Sequence, residues 1–463
     1  MSLNLAALSP DSEPDKYALH DKYLNTQLVK VLRTIGFDRN YVRGVGQYLY
    51  DQEGLAYLDL LSGFGTFAVG RNHPRVIAAL QHVLQAELPN LVQMDVSLLA
   101  GQLAERLVGL MPGMEKVFFC NSGTEAVEAA IKFARAATRR SRILFCEHAF
   151  HGLTYGALSL NGDAQYRNGF EPLLPGCNAV PFDDLERLEA ELSRGDVAAF
   201  IVEPIQGKGV NVPSDAYLPE AARLCQKHGA LFVADEIQTG LGRTGRFLAV
   251  EHWGVVPDMV LLAKALSGGF VPVGAVATRK WIYDKIFDRM DRAVVHGSTF
   301  AKNDMAMAAG MATLDVIEEE RLVERAARMG DEIMADLRSF IGRYEFVKEV
   351  RGKGLMIGLE FGRPNSMKLK AAWALLEQAR KGLFCQLITV PLMKDHHVLS
   401  QVAGDGLNVI KLLPPLVIDE TDRNWIRRSF EAAIADSQRV PGAVWDLGRT
   451  LAGHSLKARA GAA

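Results

Sequence analysis

Between Ala230 and Gly269 the chain reads ALFVADEIQTGLGRTG (230–245), a connector, and DMVLLAKALSGG (258–269). Twice an apolar run of strand length ends in one charged residue with glycines behind it, first Asp235 and then Lys264. Val260, Leu261, Leu262 and Ala263 precede the lysine, Ala265 and Leu266 follow it, and no acid lies within a helical turn of it. Lysine is rarely buried without a partner, so its place in this run needs a cause. Two readings fit. In one, Asp235 caps a helix and Lys264 snorkels to water. In the other, burial lowers the lysine's pKa and leaves a free amine that attacks a carbonyl to form a Schiff base, while the acid at the other strand end holds a protonated ring nitrogen.

Outward from this stretch the pattern is regular. From Lys116 short apolar strands alternate with helices: KVFFC before GTEAVEAAIKFARAAT, then RILFCEHAF, then AAFIVEPIQG after LERLEAELSR, and ALFVADEIQTG after PEAARLCQKHG. DMVLLAK and GAVATR complete the series. This rhythm predicts an α/β fold with a mostly parallel central sheet and helices on both faces. Ligands on such sheets bind at the carboxyl ends of the strands, where the charged and glycine-rich residues fall.

The flanks differ. Residues 11–15 are polar, Tyr17 to Ile35 carries Leu24, Leu28, Val31 and Leu32 at the spacing of one amphipathic helix, and YLYDQEGLAYLDLL (48–61) reads as a hairpin. A helix is expected over Arg75 to Leu84, after Pro74. One long helical region is expected from Met305 to Ile341. Strands follow in FVKEVRGKGLMIGLEF and LNVIKLLPPLVI, with helices at Lys368–Lys381 and Glu420–Ser437, and the tail HSLKARAGAA reads as disordered. The expected division is 1–70 (helix and hairpin joining a small domain), 71–325 (large domain) and 326–463 (a smaller α+β domain with a loose tail).

Bulk composition excludes several classes. The 463 residues are 49% hydrophobic and 23% charged, with a formal charge of −2, which gives no case for nucleic acid or an anionic membrane. Five scattered cysteines without C-x-x-C spacing suggest a reducing compartment, and MSLNLAALSPDSEPDK lacks the features of a signal peptide, so a cytoplasmic location is expected. No apolar run is long enough to span a bilayer.

Several motifs carry chemistry beside a plainer reading. In NSGTEAVEAA (121–130), Ser122 and Glu125 match a capping box, and the backbone N–H groups of Gly123 and Thr124, the Thr124 hydroxyl and the helix dipole make an anion site. CEHAFHG (146–152) brings His148 and His151 near each other, but no further ligand set with metal spacing appears, so no metal is expected. Phe150 is either an aromatic face for a planar ring or a core residue. GLGRTG (240–245) matches G-x-G-x-x-G, yet no helix starts at its end, so it is read as a turn and not a dinucleotide site. KDHH (394–397) is expected to be an exposed loop. In HGSTFAKND (296–304), Ser298 and Thr299 either cap the following helix or bind a phosphate oxygen. SGFGTFAVGRNHP (62–74), with Phe64 and Phe67, is either an interdomain turn or a place where backbone approaches a ligand. A Schiff-base lysine paired with an aspartate on a pyridinium is what a pyridoxal phosphate (PLP) enzyme uses.

The ordered set Asn121-Ser-Gly-Thr-Glu, Phe150-His-Gly, Glu203-Pro-Ile-Gln, Asp235-Glu-Ile-Gln-Thr-Gly, Lys264-Ala-Leu-Ser-Gly-Gly and His296-Gly-Ser-Thr-Phe resembles the class III (ω-amino acid type) PLP aminotransferases, which include the ornithine, acetylornithine, putrescine and 4-aminobutyrate enzymes. The resemblance runs from about Asp51 to Arg428. It implies the PLP-dependent transferase fold type I, a homodimer with active sites at the subunit interface, and small-molecule amine and keto acid substrates. By position it implies that Lys264 bonds the cofactor and shuttles protons. Asp235 holds the pyridinium nitrogen, and Ser122, Gly123 and Thr124 bind the phosphate. Phe150 and Ile237 cover the two ring faces, and Gln238 approaches the ring hydroxyl. His151, Glu203 and Ser298 are cofactor contacts within the shared motifs, and Thr299 reaches the phosphate of the partner subunit's cofactor.

Two positions depart from the amino acid-specific members. Where those resembling ornithine aminotransferase carry a carboxylate-gripping arginine, NVIKLLPPL places Lys411; where they carry the glutamate that pairs with it, EPIQGKG places Lys208. Lysine cannot make the planar bidentate grip. The reading is therefore a primary amine, diamine or ω-amino donor and a keto acid acceptor, with Phe64 and Phe67 at an apolar entrance and Lys208 and Lys411 near the substrate. A decarboxylase, racemase or aminomutase on the same scaffold is the alternative; a non-catalytic scaffold has no need of Lys264.

Overall fold

The computed structural model describes residues 16–92 and 95–439, together with Gly442, Trp445 and Gly448. The N-terminal polar stretch and the C-terminal tail HSLKARAGAA lie outside the described residues.

Three sheets organise them. The N-terminal strands are β1 (Tyr41–Val45), β2 (Tyr48–Asp51) and β3 (Ala56–Asp59). The central strands are β4 (Lys116–Cys120), β5 (Arg142–Cys146), β6 (Cys177–Val180), β7 (Val197–Val202), β8 (Leu231–Asp235), β9 (Met259–Leu262) and β10 (Gly274–Thr278). They form one sheet in the order β4-β10-β9-β8-β7-β5-β6. Only β10 runs antiparallel, against β4 and β9; the other pairs are parallel. Every residue of β5, β7, β8, β9 and β10 is buried. Helices cover both faces of such a sheet, so its strands read as continuous apolar runs without alternation. The crossover order brings the carboxyl ends of β4, β5, β7, β8 and β9 to one edge.

The third sheet, antiparallel, is β11 (Val347–Lys353), β12 (Met356–Phe361), β15 (Val409–Leu412) and β14 (Gln401–Val402). The short β13 (Val398–Leu399) instead adds in parallel to β3, which ties this part of the C-terminal region to the N-terminal sheet. The segment after β3 is tied to the segment after β15 by Leu413 N–H to Leu60 O (2.8 Å) and Ser62 Oγ to Leu413 O (2.5 Å).

Four expectations change. The helix expected over Tyr17 to Ile35 is two, Lys16–Tyr23 and Thr26–Ile35, because Asn25 stops the first and caps the second, accepting from Leu28 N–H at 3.0 Å. The helix expected from Met305 to Ile341 is also two, Asp304–Glu319 and Leu322–Arg338, broken where Arg321 turns left-handed (φ 52°). Its cap is Asn303, which accepts from Ala306 N–H at 2.9 Å, and not Ser298 or Thr299. KDHH is no free loop: Lys394 and Asp395 end the helix Gln386–Asp395, and His397 O accepts from Leu58 N–H at 2.9 Å. The hairpin β2–β3 forms where expected, and the helix Glu420–Ser437 matches the expected bounds.

Candidate functional site

A cavity of about 830 Å³ opens at the carboxyl edge of the central sheet and is closed on the far side by β14 and β15. Its floor begins after β4. Ser122 is the N-cap of the helix Gly123–Thr138, and its Oγ accepts from Glu125 N–H at 3.3 Å. Glu125 reaches back one residue further than in a standard capping box, to Asn121 N–H at 2.8 Å. The N–H groups of Gly123 and Thr124 have no intrahelical acceptor and lie at the positive end of the helix. The cradle has no room to spare. A Cβ on Gly123 would sit 3.0 Å from Ile237, and one on Gly152 (φ +121°) would sit 2.4 Å from Thr124 Oγ1.

Asp235, at the end of β8, is 3% exposed. Its Oδ1 accepts from Ile237 N–H at 3.1 Å, and its Oδ2 is bonded to His151 Nδ1 at 2.6 Å. Burial opposes charge on His151, but the hydrogen bond and charge of Asp235 hold its pKa above the usual value. The other ring nitrogen, Nε2, has no partner among the described residues. Glu203, just past β7, accepts from Gly207 N–H (2.9 Å) and Phe150 N–H (3.0 Å), so it braces two loops that line the cavity. Burial raises its pKa, and Asp235 adds to that.

Lys264 faces these acids from just past β9. Burial pushes its amine below the ordinary lysine value, while Asp235 and Glu203 pull the other way. It makes no hydrogen bond or ion pair among the described residues, and its backbone is left-handed at φ 42°. A non-glycine residue held there stores strain of about 1–3 kcal/mol, which persists only where the surroundings over-determine it. A half-buried, unpaired amine at a strained backbone position, lining a cavity with a fixed carboxylate, is equipped for nucleophilic and proton-transfer chemistry.

The walls are aromatic and aliphatic. Phe150 packs edge-on against Tyr166 with centroids 5.4 Å apart. Gln238 Nε2 donates to Phe64 O at 3.1 Å, and Phe64 itself is left-handed (φ 61°). On β15, Lys411 is 5% exposed and donates to Gly207 O (2.7 Å) and Gln238 Oε1 (3.3 Å). Lys208 points elsewhere, onto Asp163 Oδ2, whose other oxygen meets His148 Nδ1 at 3.0 Å.

The cavity thus gathers Phe64, Ser122, Gly123, Thr124, Phe150, His151, Glu203, Lys208, Asp235, Ile237, Gln238, Lys264 and Lys411. Phe67 is not among its lining residues; it lies under the Arg71 guanidinium, 4.0 Å from ring centroid to Cζ, and against Gly269. Ser298 and Thr299 line a second cavity on the other side of Asn121, whose Nδ2 donates to Ser298 Oγ at 2.6 Å. Tyr166, Asp163, Phe270 and the 401–404 wall were not anticipated. They carry no local motif and reach the site only through tertiary packing.

Residues 34–434 match the family model "Aminotransferase class-III". The chain is 40% identical over 403 residues to the ornithine aminotransferase of Bacillus cereus, covering 84% of this chain and 92% of that one. It is 36% identical to the aminotransferase PigE of a Serratia species over 87% of its own length, and spans about half (51%) of that protein. Among solved structures, the ornithine aminotransferase of Toxoplasma gondii superposes with a TM-score of 0.81 at 30% identity, covering 95% of this chain and 98% of that one. A PLP-bound amine transaminase from an uncultivated Pseudomonas species gives 0.75 at 31% identity, covering 86% and 94%.

Proposed function

The chain belongs to the class III aminotransferases, which are PLP enzymes, and from that premise we propose that it moves an amino group from a primary amine, diamine or ω-amino compound to a keto acid, or in reverse onto an aldehyde or ketone. The observation that carries this reading is the Lys264 amine, half-buried, without a partner among the described residues and facing Asp235 across the cavity.

The residues present fit the cofactor. The unused N–H groups of Gly123 and Thr124, with the Ser122 and Thr124 hydroxyls, suit a dianionic phosphate. Cβ atoms on Gly123 or Gly152 would fill that cradle. Asp235, kept in place by His151 and Ile237 N–H, suits a ring nitrogen that carries a proton. Phe150 and Ile237 stand as the two covers of a flat ring, and Gln238 as a polar neighbour at its edge. When bound, the cofactor supplies an electron sink that acidifies the carbon bearing the amine. Lys264 Nζ is the group placed to take that carbon's proton and to return it, and its lowered pKa keeps a free base available. Glu203 acts through the Phe150 and Gly207 loops that it braces.

Substrate choice rests on the two departures. Neither Lys208, bound to Asp163, nor Lys411, held by neutral oxygens, offers a planar bidentate grip for an α-carboxylate. The apolar Phe64, Phe150, Tyr166 and Phe270 suit a donor without one. We further read a homodimer: Thr299 is exposed and turned from this chain's own cavity, which supports a role toward a second copy. The five cysteines are all free, which supports a reducing, cytoplasmic setting. The large domain at 71–325 and the smaller terminal units are supported by the separation of the three sheets.

The test is a half-reaction screen. Protein loaded with PLP should bleach its visible absorption on adding a primary amine and recover it with a keto acid, with one amino group transferred per cycle. Loaded wild-type protein that shows no such change with any amine would overturn the reading.

A further inference from the structure

The proposed cofactor site is assembled from two segments that the sheet keeps apart. The phosphate cradle follows β4 and the ring cover Phe150 follows β5, and β10, β9, β8 and β7 lie between those strands. Strand pairing therefore does not set the distance between them. Along the helix Gly123–Thr138, Thr124 and Glu128 stand four residues apart and share a face. Thr154, in the loop after β5, lies against both. Its N–H donates to Thr124 Oγ1 (3.1 Å), its hydroxyl donates to Glu128 Oε1 (2.6 Å), and the two threonine hydroxyls are 2.6 Å apart.

Glu128 meets more than Thr154. The same Oε1 accepts from Gly156 N–H (2.8 Å) and Ala157 N–H (3.1 Å), early donors of the short helix Tyr155–Leu158, which the Thr154 side chain does not cap. The fit is close at both ends: a Cβ on Gly156 would sit 2.2 Å from Glu128 Oε2, as one on Gly152 would meet Thr124. The loop's other anchors act elsewhere. Glu203 holds Phe150 N–H, and Asn161 Nδ2 donates to Gly152 O at 2.7 Å, which fixes the ring cover and the loop's own shape. Among the described residues, the hydrogen bonds that join this loop to the helix Gly123–Thr138 run through Thr124 and Glu128.

We infer that Glu128 is a positioning residue for the phosphate end of the cofactor: it holds the loop that carries Gly152 against the first turn of the helix, closing the side of the cradle formed by the Gly123 and Thr124 N–H groups. The inference rests on the cofactor placement proposed above and adds to it a residue outside the cavity lining. Glu128 acts through Thr154 and Thr124, at a distance from the reacting atoms. Its carboxylate takes three donors on one oxygen, and hydrogen bonds to a charged acceptor are the stronger kind. Glu203 and Asn161 brace the ring cover without it. Loss of Glu128 therefore loosens the phosphate end and leaves the ring end in place.

Cofactor binding to the full-length chain tests this without turnover. Protein freed of cofactor is titrated with PLP and, separately, with pyridoxal, which lacks the phosphate, and protein fluorescence follows binding. Glu128→Ala should weaken PLP at least about tenfold and pyridoxal less than about twofold, because the phosphate end alone loses its brace. Saturated with PLP, the variant should keep the wild-type visible absorption maximum. Glu128→Gln, which retains an acceptor oxygen, should stay within about threefold of wild type for PLP. Thr154→Val, at an exposed position, removes the link and carries the test should Glu128→Ala not fold; it should weaken PLP by about three- to fivefold and spare pyridoxal. A wild-type ratio of PLP to pyridoxal affinity in Thr154→Val, or in folded Glu128→Ala, would overturn the inference while leaving the transaminase standing. If wild type binds no PLP, the cofactor placement fails and the inference falls with it.

Discussion

Two walls face each other across the cavity, and they hold their charges differently. At the carboxyl edge of the central sheet each acid is fixed by named donors: Asp235 by His151 and Ile237 N–H, Glu203 by Gly207 and Phe150 N–H. One group there, Lys264, is left unpaired at a strained backbone position. On the opposite wall Lys411 rests on neutral oxygens, and Lys208 has turned aside to Asp163. The edge is preorganised, which is how fixed dipoles and charges lower a barrier without reorganising. The wall is less fixed: Lys411 has only neutral partners among the described residues, and Lys208 is ion-paired to Asp163. On the function proposed above, the chemistry common to the family falls to the edge and choice of substrate to the wall.

The largest test removes the edge's one free group. On the proposed function Lys264 is both nucleophile and proton carrier, so Lys264→Ala should lower turnover by about 10³-fold or more. Its circular dichroism should match wild type, because no hydrogen bond is lost. Retained activity would break the comparison at its stronger side. Asp235→Asn comes next, with kcat expected to fall by about 10²–10³-fold. Because His151 is buried against Asp235, this variant should also unfold earlier, by about 3–5 kcal/mol for a broken buried pair. Equal kcat in wild type and Asp235→Asn would show that the acid does not tune the site.

The asymmetry also governed what the sequence could reveal. The edge was legible because β8 and β9 are buried on both faces, which turns them into continuous apolar runs with one charge at the end of each. The helix Glu420–Ser437 was legible to the residue because Asp419 caps it from two backbone N–H groups. Arg321 was not: nothing in a helix-favouring run marks one residue that turns left-handed. Asn303 was passed over for Ser298 and Thr299, which have equally good capping chemistry and sit a few residues too early. The wall was half legible. Lys208 and Lys411 stood out by their motif positions, but the partner of Lys208 is 45 residues away and follows from packing alone.

A double change tests whether the wall sets specificity. Lys208→Glu with Lys411→Arg would restore an acid and a planar cation facing the same space. Donors that carry a carboxylate should gain roughly tenfold in kcat/KM relative to simple amines, the worth of about one charge-assisted hydrogen bond. An unchanged donor ratio would place selectivity on the aromatic lining instead.

The smallest effect belongs to the pair that keeps Lys208 aside. Burial alone would raise the pKa of Asp163, but the hydrogen bonds and charges of Lys208 and His148 outweigh it and hold the carboxyl below its ordinary value. A carboxyl depressed in the folded state contributes stability that is present above its unfolded pKa and lost as pH falls through its folded one. Asp163→Asn should therefore cost about 1 kcal/mol near neutral pH, a modest figure for a partly exposed pair, and the difference from wild type should close at acid pH. With its anchor gone, Lys208 would be free to swing toward Gly207 and add a second cation beside Lys411. Keto acid KM should then fall by a few-fold at pH 7.5, with the thermal midpoint slightly lowered. If the midpoint drops and KM does not move, Asp163 supports the fold alone, and the wall is less adjustable than the contrast with the sheet edge requires.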